Sequence, residues 1–341
     1  MTVPRDSGHD FIDQNGHRMN RRFTLLPLIE AVQTVTARKK VAPKFDWSSV
    51  DFVTDRTGLR KLVAWANSKS DDWRIDTQLA GDKTILINAW SSVTKQSSGQ
   101  SESYGFNFEK ACTHPAPGCE SGTGHHRIVT YVRALYSSGR TGPDRRQDFG
   151  GFRMVVRFEV DACLPLRSAP SHRKPSRSTR PIKPVTSTLT CEDNTHPFQP
   201  NNKPTLHFPH LAVIRAGFLV PQSHLIELKT YSRSGKAWSN SYPQLFLSQT
   251  PHIYYGAHRN GKFSEIKKYT LGEPHLEVID QDAQVGFKKL KLALTTIQEL
   301  VRKYGTDGRI SLVCSGKELG VYQREDAGSC LPKHALALFG A

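Results

Sequence analysis

The sequence has few cysteines and no long apolar run. Its 341 residues include six cysteines, which are irregularly spaced and form no Cys-x-x-Cys pair. This pattern excludes a disulfide-rich scaffold and a paired-cysteine zinc site. Apolar runs extend over only a few residues, whereas a membrane-spanning helix needs about 20, and the first residues lack the apolar stretch of a secretion signal. We therefore expect no membrane association and a location in the nucleus, the cytoplasm or both.

Acidic residues are scarce relative to basic ones. Lys and Arg number 47 against 31 Asp and Glu, which gives a formal charge of +16. Such an excess favours a polyanionic partner, because phosphates that bind protein cations release their condensed counterions. A merely basic globular protein is the alternative. Basic residues are frequent in residues 164–205, together with Pro, Ser, Thr and Asn, and this composition predicts a disordered low-complexity insertion.

The periodicity of the rest of the chain predicts an α+β fold, with a mixed sheet flanked by helices. Residues 1–44 are expected to form an irregular arm, with a short helix near the apolar residues 23–35, and residues 45–341 a single domain that the insertion interrupts. Helical spacing is clearest in residues 281–304, and Gly305 is placed to end that helix. Strand-like alternation is clearest in residues 73–76, 84–90, 151–162 and 223–231.

Two strand-like segments carry the charged residues that indicate chemistry. Glu159 and Asp161 are two residues apart, so both are expected on one face of a strand. Glu227 and Lys229 share a face in the same way. Carboxylates among apolar strand residues need neutralising cations, and hard divalent ions such as Mg²⁺ prefer carboxylate oxygens. Either motif alone is weak, but both in order favour a nuclease-type centre with two metal ions.

Five segments in order resemble motifs of the DXO-type decapping nucleases. Residues 159–161 are similar to the Glu-x-Asp strand of that family, and residues 227–230 match its Glu-Leu-Lys-Thr strand. The resemblance covers residue 45 to the C-terminus without the insertion. The other three segments are Asp51-Phe52-Val53-Thr54-Asp55-Arg56, Tyr104-Gly105-Phe106-Asn107-Phe108-Glu109-Lys110, and Gln244-Leu245-Phe246-Leu247 followed by Thr250-Pro251-His252-Ile253-Tyr254-Tyr255-Gly256.

The resemblance implies a fold related to the PD-(D/E)XK nucleases, two bound Mg²⁺ or Mn²⁺ ions, and hydrolysis at RNA 5′ ends. Family members variously remove caps, release pyrophosphate from triphosphate ends or degrade RNA from 5′ to 3′, so the cleaved chemistry stays open. The implied partners are the RNA 5′ end and a 5′–3′ exoribonuclease. The implied metal ligands are Glu109, Glu159, Asp161, Glu227 and the carbonyl of Leu228.

The resemblance also implies roles for the residues around these ligands. Lys229 and Gln244, together with Glu227, would be the catalytic residues, and the first two would position the scissile phosphate and the attacking water. Arg56 would contact RNA phosphates. Arg259, judged by its position in a predicted turn, is either a further phosphate contact or part of a solvated hairpin tip.

Three features depart from the family pattern. The insertion is longer than the usual spacer, and Asn107 stands where the family has a basic residue. Tyr242-Pro243 precedes Gln244 and is expected to delay the start of its helix. Two alternatives stay open, namely a catalytically inactive RNA- or protein-binding module on the same fold, and a DNA nuclease of the wider PD-(D/E)XK group.

Overall fold

A computed structural model describes most of the predicted domain and parts of the N-terminal arm. Residues 166–205 of the predicted insertion lie outside the described residues, as do Cys119 and Cys191. The described residues are 1–6, 10–12, 23–38, 45–69, 71–90, 95–97, 103–115, 126–133, 151–165, 206–208, 211–213, 219–232, 235–305, 308–325 and 328–340.

A seven-stranded mixed sheet forms one half of the fold. In spatial order its strands are β15 (Glu318–Gln323), β14 (Arg309–Ser315), β3 (Trp73–Ala80), β4 (Thr84–Trp90), β2 (Phe52–Asp55), β7 (Arg153–Val160) and β6 (His126–Arg133). Strand β2 runs parallel to both of its neighbours, and the other pairs are antiparallel. All four residues of β2 are buried, as expected for a strand that is covered on both faces.

A four-stranded sheet forms the other half. Its order is β13 (Lys262–Thr270), β12 (His252–Arg259), β11 (Leu225–Tyr231) and β8 (Ala162–Cys163). Strand β11 is parallel to β12 and antiparallel to β8, while β12 and β13 form a hairpin. Strand β8 follows β7 after a single residue, Asp161, so the chain passes from one sheet to the other at that residue. Two-stranded ladders also pair β1 (Asp10–Ile12) with β5 (Lys95–Ser97), and β9 (Leu206–Phe208) with β10 (Leu211–Val213).

Helices cover both faces of the larger sheet. On one face, Leu62, Phe246 and Leu290 pack from three helices into the main core, and on the other Leu28 packs with Trp47. The α-helices are α1 (Leu26–Arg38), α2 (Arg56–Ala66), α3 (Gly105–Cys112), α4 (Trp238–Ser248), α5 (Glu277–Tyr304) and α6 (Lys333–Leu336). Short 3-10 turns span Trp47–Ser49, Gln222–His224, Pro274–Leu276 and Ala337–Phe339.

The arm predicted over residues 1–44 is irregular only in part. Helix α1 confirms the short helix expected near residues 23–35, and Leu28 and Ile29 of this helix are fully buried in the core. Val3 and Asp6 are buried as well. The described parts of the arm therefore pack against the domain, because their apolar side chains are removed from water there.

Most predicted elements are confirmed, including the α+β class and helix α5. This helix ends just before Gly305, and the φ of Gly305 is 71°. One expectation about the helices is wrong, because Pro243 does not delay α4. The helix begins at Trp238 and contains Pro243. The lost backbone hydrogen bond is offset by packing on both sides of the proline, where Tyr242 and Phe246 are buried.

Four cysteines of the described ranges are free thiols, namely Cys112, Cys163, Cys314 and Cys330. Among the helices of the described ranges, none combines the length and the apolar character that a membrane span requires.

Candidate active site

Strand β11 holds an acid and an amine side by side. Glu227 and Lys229 extend from the same face of the strand, as predicted, and the Lys229 ammonium lies 2.6 Å from Glu227 Oε1. The Glu227 side chain is 2% exposed, whereas that of Lys229 keeps 32% of its surface. Glu227 is therefore a buried charge that depends on its neighbours for compensation.

Asp161 is positioned by the connection between the two sheets. Because β7 ends immediately before it and β8 begins immediately after it, the strand face predicted for Glu159 and Asp161 does not extend to Asp161. Its Oδ2 accepts a hydrogen bond from the Leu228 backbone N–H at 2.7 Å and lies 3.6 Å from Lys229 Nζ. The N–H and C=O of one strand residue point to the same side, so the Leu228 carbonyl also faces this side of β11.

Helix α2 brings Arg56 into the cluster. Asp55 caps the helix by accepting a hydrogen bond from the Gly58 N–H at 2.8 Å, which fixes the position of the first helical residue, Arg56. Arg56 Nη1 lies 3.1 Å from Glu227 Oε2, and its side chain is 12% exposed. Arg56, predicted as an RNA phosphate contact, is thus a second counter-ion of Glu227 in this structure.

Gln244 of α4 belongs to the same network. In the amide orientation that satisfies both neighbours, its nitrogen donates to Glu227 Oε1 at 3.0 Å and its oxygen accepts from Arg60 Nη1 at 2.9 Å. Arg60 follows Arg56 by one helical turn, so both arginines extend from one face of α2. The sequence-based prediction missed Arg60, although its i, i+4 spacing from Arg56 was a usable signal.

Glu109 reaches the cluster from helix α3. Burial and the charge of Asp161 raise the pKa of Glu109 to about 8, although Lys229 opposes the shift. Burial and the charge of Glu227 raise the pKa of Asp161 to about 7. Glu159, half-buried in β7, adds a smaller repulsion that raises the pKa of both groups. The four predicted acidic ligands therefore lie within electrostatic reach of one another.

Neighbouring charges shift the pKa values of Glu227 and Lys229 toward the charged form of each group. Burial acts to raise the pKa of Glu227, but the charges of Lys229 and Arg56 outweigh it, so this pKa lies below its ordinary value. Burial acts to lower the pKa of Lys229, but Glu227 and then Asp161 outweigh it and raise this pKa. The cluster thus contains one compensated carboxylate and two carboxyl groups that keep their protons to near neutral pH.

The acidic groups suit a hard divalent cation by donor type, but internal cations already share their charge. Lys229 contacts both Glu227 and Asp161, and Arg56 contacts the second oxygen of Glu227. In the arrangement described, the described ranges contain no group of three or more His, Cys, Asp or Glu side chains that could hold a metal ion. The raised pKa values of Glu109 and Asp161 indicate surplus negative charge that Mg²⁺ or Mn²⁺ would neutralise. The residues therefore fit such an ion if Lys229 gives up part of its contacts.

A cavity of about 340 Å³ opens beside Lys229. This volume is at the low end for small-molecule sites and suits one nucleotide-sized group. The Tyr104 and His258 rings, which both line it, lie 4.9 Å apart. Aromatic rings of this kind can stack on nucleobases. Other lining residues are Tyr231, Ser241 and Tyr255.

Arg259 lies apart from the carboxylates, at the exposed end of β12. The hairpin tip predicted there is present, and its turn is formed by Asn260 and Gly261, both at positive φ. His258, the preceding residue, lines the cavity. Arg259 is therefore one residue removed from the cavity wall.

Crystal structures of Rai1 have the same fold as this α+β protein. Rai1 of Scheffersomyces stipitis matches with a TM-score of 0.55 at 14% identity, over 95% of this chain and 81% of that chain. Rai1 of S. pombe in complex with 3'-FADP has a TM-score of 0.52 at 13% identity, over 95% of this chain and 86% of that chain. Rai1 of Candida albicans in complex with pU5-Mn²⁺ has a TM-score of 0.51 at 14% identity, over 93% of this chain and 80% of that chain. The fold implied by the resemblance to DXO-type nucleases is thereby confirmed.

The sequence places the chain in a defined family. The family model described as "Domain of unknown function (DUF8563)" matches residues 1–335, so the chain belongs to this family. No curated protein matches the sequence. The match begins in the N-terminal arm and includes every residue of the carboxylate cluster.

We expect Arg60 to stabilise the cluster through Gln244. Arg60→Met should lower the free energy of unfolding by about 1 kcal/mol, as for a partly exposed charge-assisted hydrogen bond. In a Gln244→Leu background it should cost far less, because the partner is already absent. Urea unfolding of the wild type, the two single variants and the double variant measures this coupling. Lys61→Met removes the neighbouring charge as a control, and additive effects of Arg60 and Gln244 would contradict the prediction.

Proposed function

We propose that this protein is a divalent-metal-dependent hydrolase of RNA 5′ ends. The observation that carries the proposal is the contact of Lys229 with both Asp161 and Glu227 beside a cavity that Lys229 lines. Glu109 lies within electrostatic reach of this pair. Two proteins of the same fold support the proposal by their ligands. The crystal structure of Candida albicans Rai1 contains pU5 and Mn²⁺, and one of Scheffersomyces stipitis Rai1 contains (3'-NADP)+ and a calcium ion.

The proposed ligands of two Mg²⁺ or Mn²⁺ ions are the carboxylates of Glu109, Glu159, Asp161 and Glu227 and the carbonyl of Leu228. Bound ions of this kind lower the pKa of a water molecule and neutralise charge at the phosphoryl group. Because Asp161 and Glu227 are nearest to Lys229, they would hold the ions next to the cavity.

The chain's own polar groups would position the reactants. Lys229, at the cavity wall, would contact the scissile phosphate as it shifts from its carboxylate partners. Gln244 would orient the attacking water, since Arg60 fixes the direction of its amide. Arg56 keeps Glu227 ionised, because its charge lowers the pKa of that group. The ammonium and guanidinium groups thus keep the Glu227 carboxylate ionised, which is the form that binds a metal ion.

The overall positive charge would favour the approach of RNA, since a net charge of +16 accelerates the encounter with a polyanion. Tyr231 would offer a ring for stacking in the cavity, and Arg259 would contact a phosphate near its rim. By the family resemblance, a 5′–3′ exoribonuclease is the proposed protein partner, and the proposed location is the nucleus, the cytoplasm or both.

The test is incubation of the full chain and Mn²⁺ with 5′-triphosphate, capped and monophosphate RNAs. We expect product from at least one RNA, loss of product in EDTA, and an inactive Glu227→Ala/Asp161→Ala control. Degradation of monophosphate RNA would add exonuclease activity. The absence of product from every RNA, at Mn²⁺ concentrations that the protein demonstrably binds, would contradict the proposal. Duplex DNA is included in the same assay, and its cleavage would indicate a DNA nuclease instead.

One observation favours a second candidate, a catalytically inactive RNA-binding module. Arg56 and Lys229 both pair with Glu227, so internal cations compensate this buried carboxylate. Such a module would bind RNA with strong salt dependence, and neither EDTA nor Glu159→Gln would change the affinity. A fluorescence titration of labelled RNA with and without EDTA distinguishes the two candidates.

Mn²⁺ affinity should rise steeply with pH. Because the pKa of Glu109 is raised to about 8 and that of Asp161 to about 7, Mn²⁺ must displace their protons below those values. We expect the dissociation constant to fall by about 100-fold from pH 6 to pH 8, as for the release of one to two protons. Isothermal titration calorimetry at five pH values measures this. Glu109→Gln should flatten the upper part of the profile, and a pH-independent affinity would contradict the prediction.

A further inference from the structure

The N-terminal segment, defined here as residues 2–6, is packed against the hairpin of β12 and β13. The Val3 N–H donates to the Gly261 carbonyl at 2.9 Å, and Thr2 forms an antiparallel bridge with Lys262. Val3 is 3% exposed and belongs to the same apolar cluster as Phe108 and Leu228. Gly261 has a φ of +77°, and a Cβ there would clash with the Val3 carbonyl. The turn therefore needs glycine because the segment passes so close to it.

Asp6 links this segment to the helix that carries Glu109. Helix α3 begins after Tyr104, which makes no side-chain capping hydrogen bond. The cap comes instead from about 100 residues earlier in the chain. The Asp6 carboxylate accepts from the backbone N–H groups of Phe106 at 3.2 Å and Asn107 at 2.9 Å. Asp6 is fully buried, so its charge lies at the positive end of the helix with little screening by water.

Two further contacts hold the same end of α3. The Asn107 side chain donates to the Arg5 carbonyl at 2.9 Å, and the Asp6 N–H donates to the Ser103 carbonyl at 2.9 Å. Asn107 is the position that departs from the DXO-type pattern. In this chain its side chain binds the N-terminal segment. An eight-residue helix has little stability of its own. Its placement therefore depends on contacts such as these.

We propose that residues 2–6 are a positioning segment for the carboxylate cluster, and that Asp6 fixes the helix that carries Glu109. The inference rests on the proposed function insofar as Glu109 is a metal ligand. Glu109 lies three residues after Phe106, within one turn of the capped end, and a residue that orients a ligand commonly changes metal affinity by 10- to 100-fold. Asp6 does not need to touch the metal ion, because it acts through the helix.

The test uses the full chain with Asp6→Ala, the conservative Asp6→Asn and the control Asp46→Ala. Asp46 also caps a turn, through the Ser48 N–H at 3.1 Å, in another part of the chain. We expect Asp6→Ala to weaken Mn²⁺ binding about tenfold in calorimetry and to raise hydrogen–deuterium exchange of residues 105–112 about tenfold. Asp6→Asn should recover most of both effects, and Asp46→Ala should change neither.

A second variant tests the same segment if Asp6→Ala does not fold. Asn107→Ala removes a second contact between α3 and the same segment, the side-chain hydrogen bond to the Arg5 carbonyl, and it should reproduce both effects more weakly. Unchanged exchange in α3, or faster exchange with unchanged Mn²⁺ affinity, would overturn the inference. A wild-type protein that binds no Mn²⁺ contradicts the proposed function instead, and the exchange of α3 then decides the inference alone.

Discussion

Glu227→Gln should abolish metal-dependent RNA hydrolysis and destabilise the metal-free protein at the same time. The substitution keeps the size of the side chain but removes the charge that Lys229 and Arg56 share. We expect kcat/KM to fall by at least about 10³-fold, since a buried electrostatic group at the reacting centre is lost. The free energy of unfolding should fall by about 3 kcal/mol, because two cations are left beside a neutral amide.

Two further variants separate the effect on activity from the effect on stability. Glu265→Gln removes an exposed carboxylate from the same sheet and should change neither quantity, since the ion pair of Glu265 with Lys267 is exposed on both sides. Combining Glu227→Gln with Lys229→Met should restore part of the stability but none of the activity, because it removes one uncompensated cation. A Glu227→Gln protein that is as stable and active as the wild type would show that Glu227 is not the centre of the cluster.

The sequence was sufficient to predict the strands of the site because their patterns are local. Glu227 and Lys229 alternate with apolar residues inside a strand, and this period of two places both on one face wherever the strand lies. The helix of Glu109 and the class of fold were predictable for the same reason. Five short motifs in order carried the resemblance to a known family.

Other parts of the site depend on contacts that no local pattern contains. Asp161 was expected on a strand face, but it lies where the chain leaves one sheet for the other, and only the position of Leu228 shows why it points inward. Asp6 caps a helix about 100 residues away. Arg56 pairs with Glu227, a buried carboxylate of a distant strand, and no pattern near Arg56 contains this contact.

Lys229→Met should make the stability of the protein strongly dependent on Mn²⁺. In the wild type the ammonium compensates Glu227 and Asp161. Burial acts to lower the pKa of Lys229, but these two carboxylates outweigh it and raise that pKa. Without the ammonium, Glu109, Asp161 and Glu227 repel one another, and we expect the metal-free protein to lose about 3 kcal/mol at pH 8. The loss should be smaller at pH 6, because carboxyl groups with raised pKa values are protonated there and repel less. Hydrolysis should fall by about 10²- to 10³-fold.

Mn²⁺ should stabilise Lys229→Met more than it stabilises the wild type, because the ion replaces the missing internal cation and no longer competes with it. Thermal unfolding at pH 6 and pH 8, with and without Mn²⁺, measures both dependences. Lys267→Met, which removes an exposed lysine from strand β13 of the same sheet, should show neither. If Mn²⁺ shifts the Tm of Lys229→Met no further than that of the wild type, the ammonium and the metal ion do not share the same carboxylates, and the site described above does not bind metal through Asp161 and Glu227.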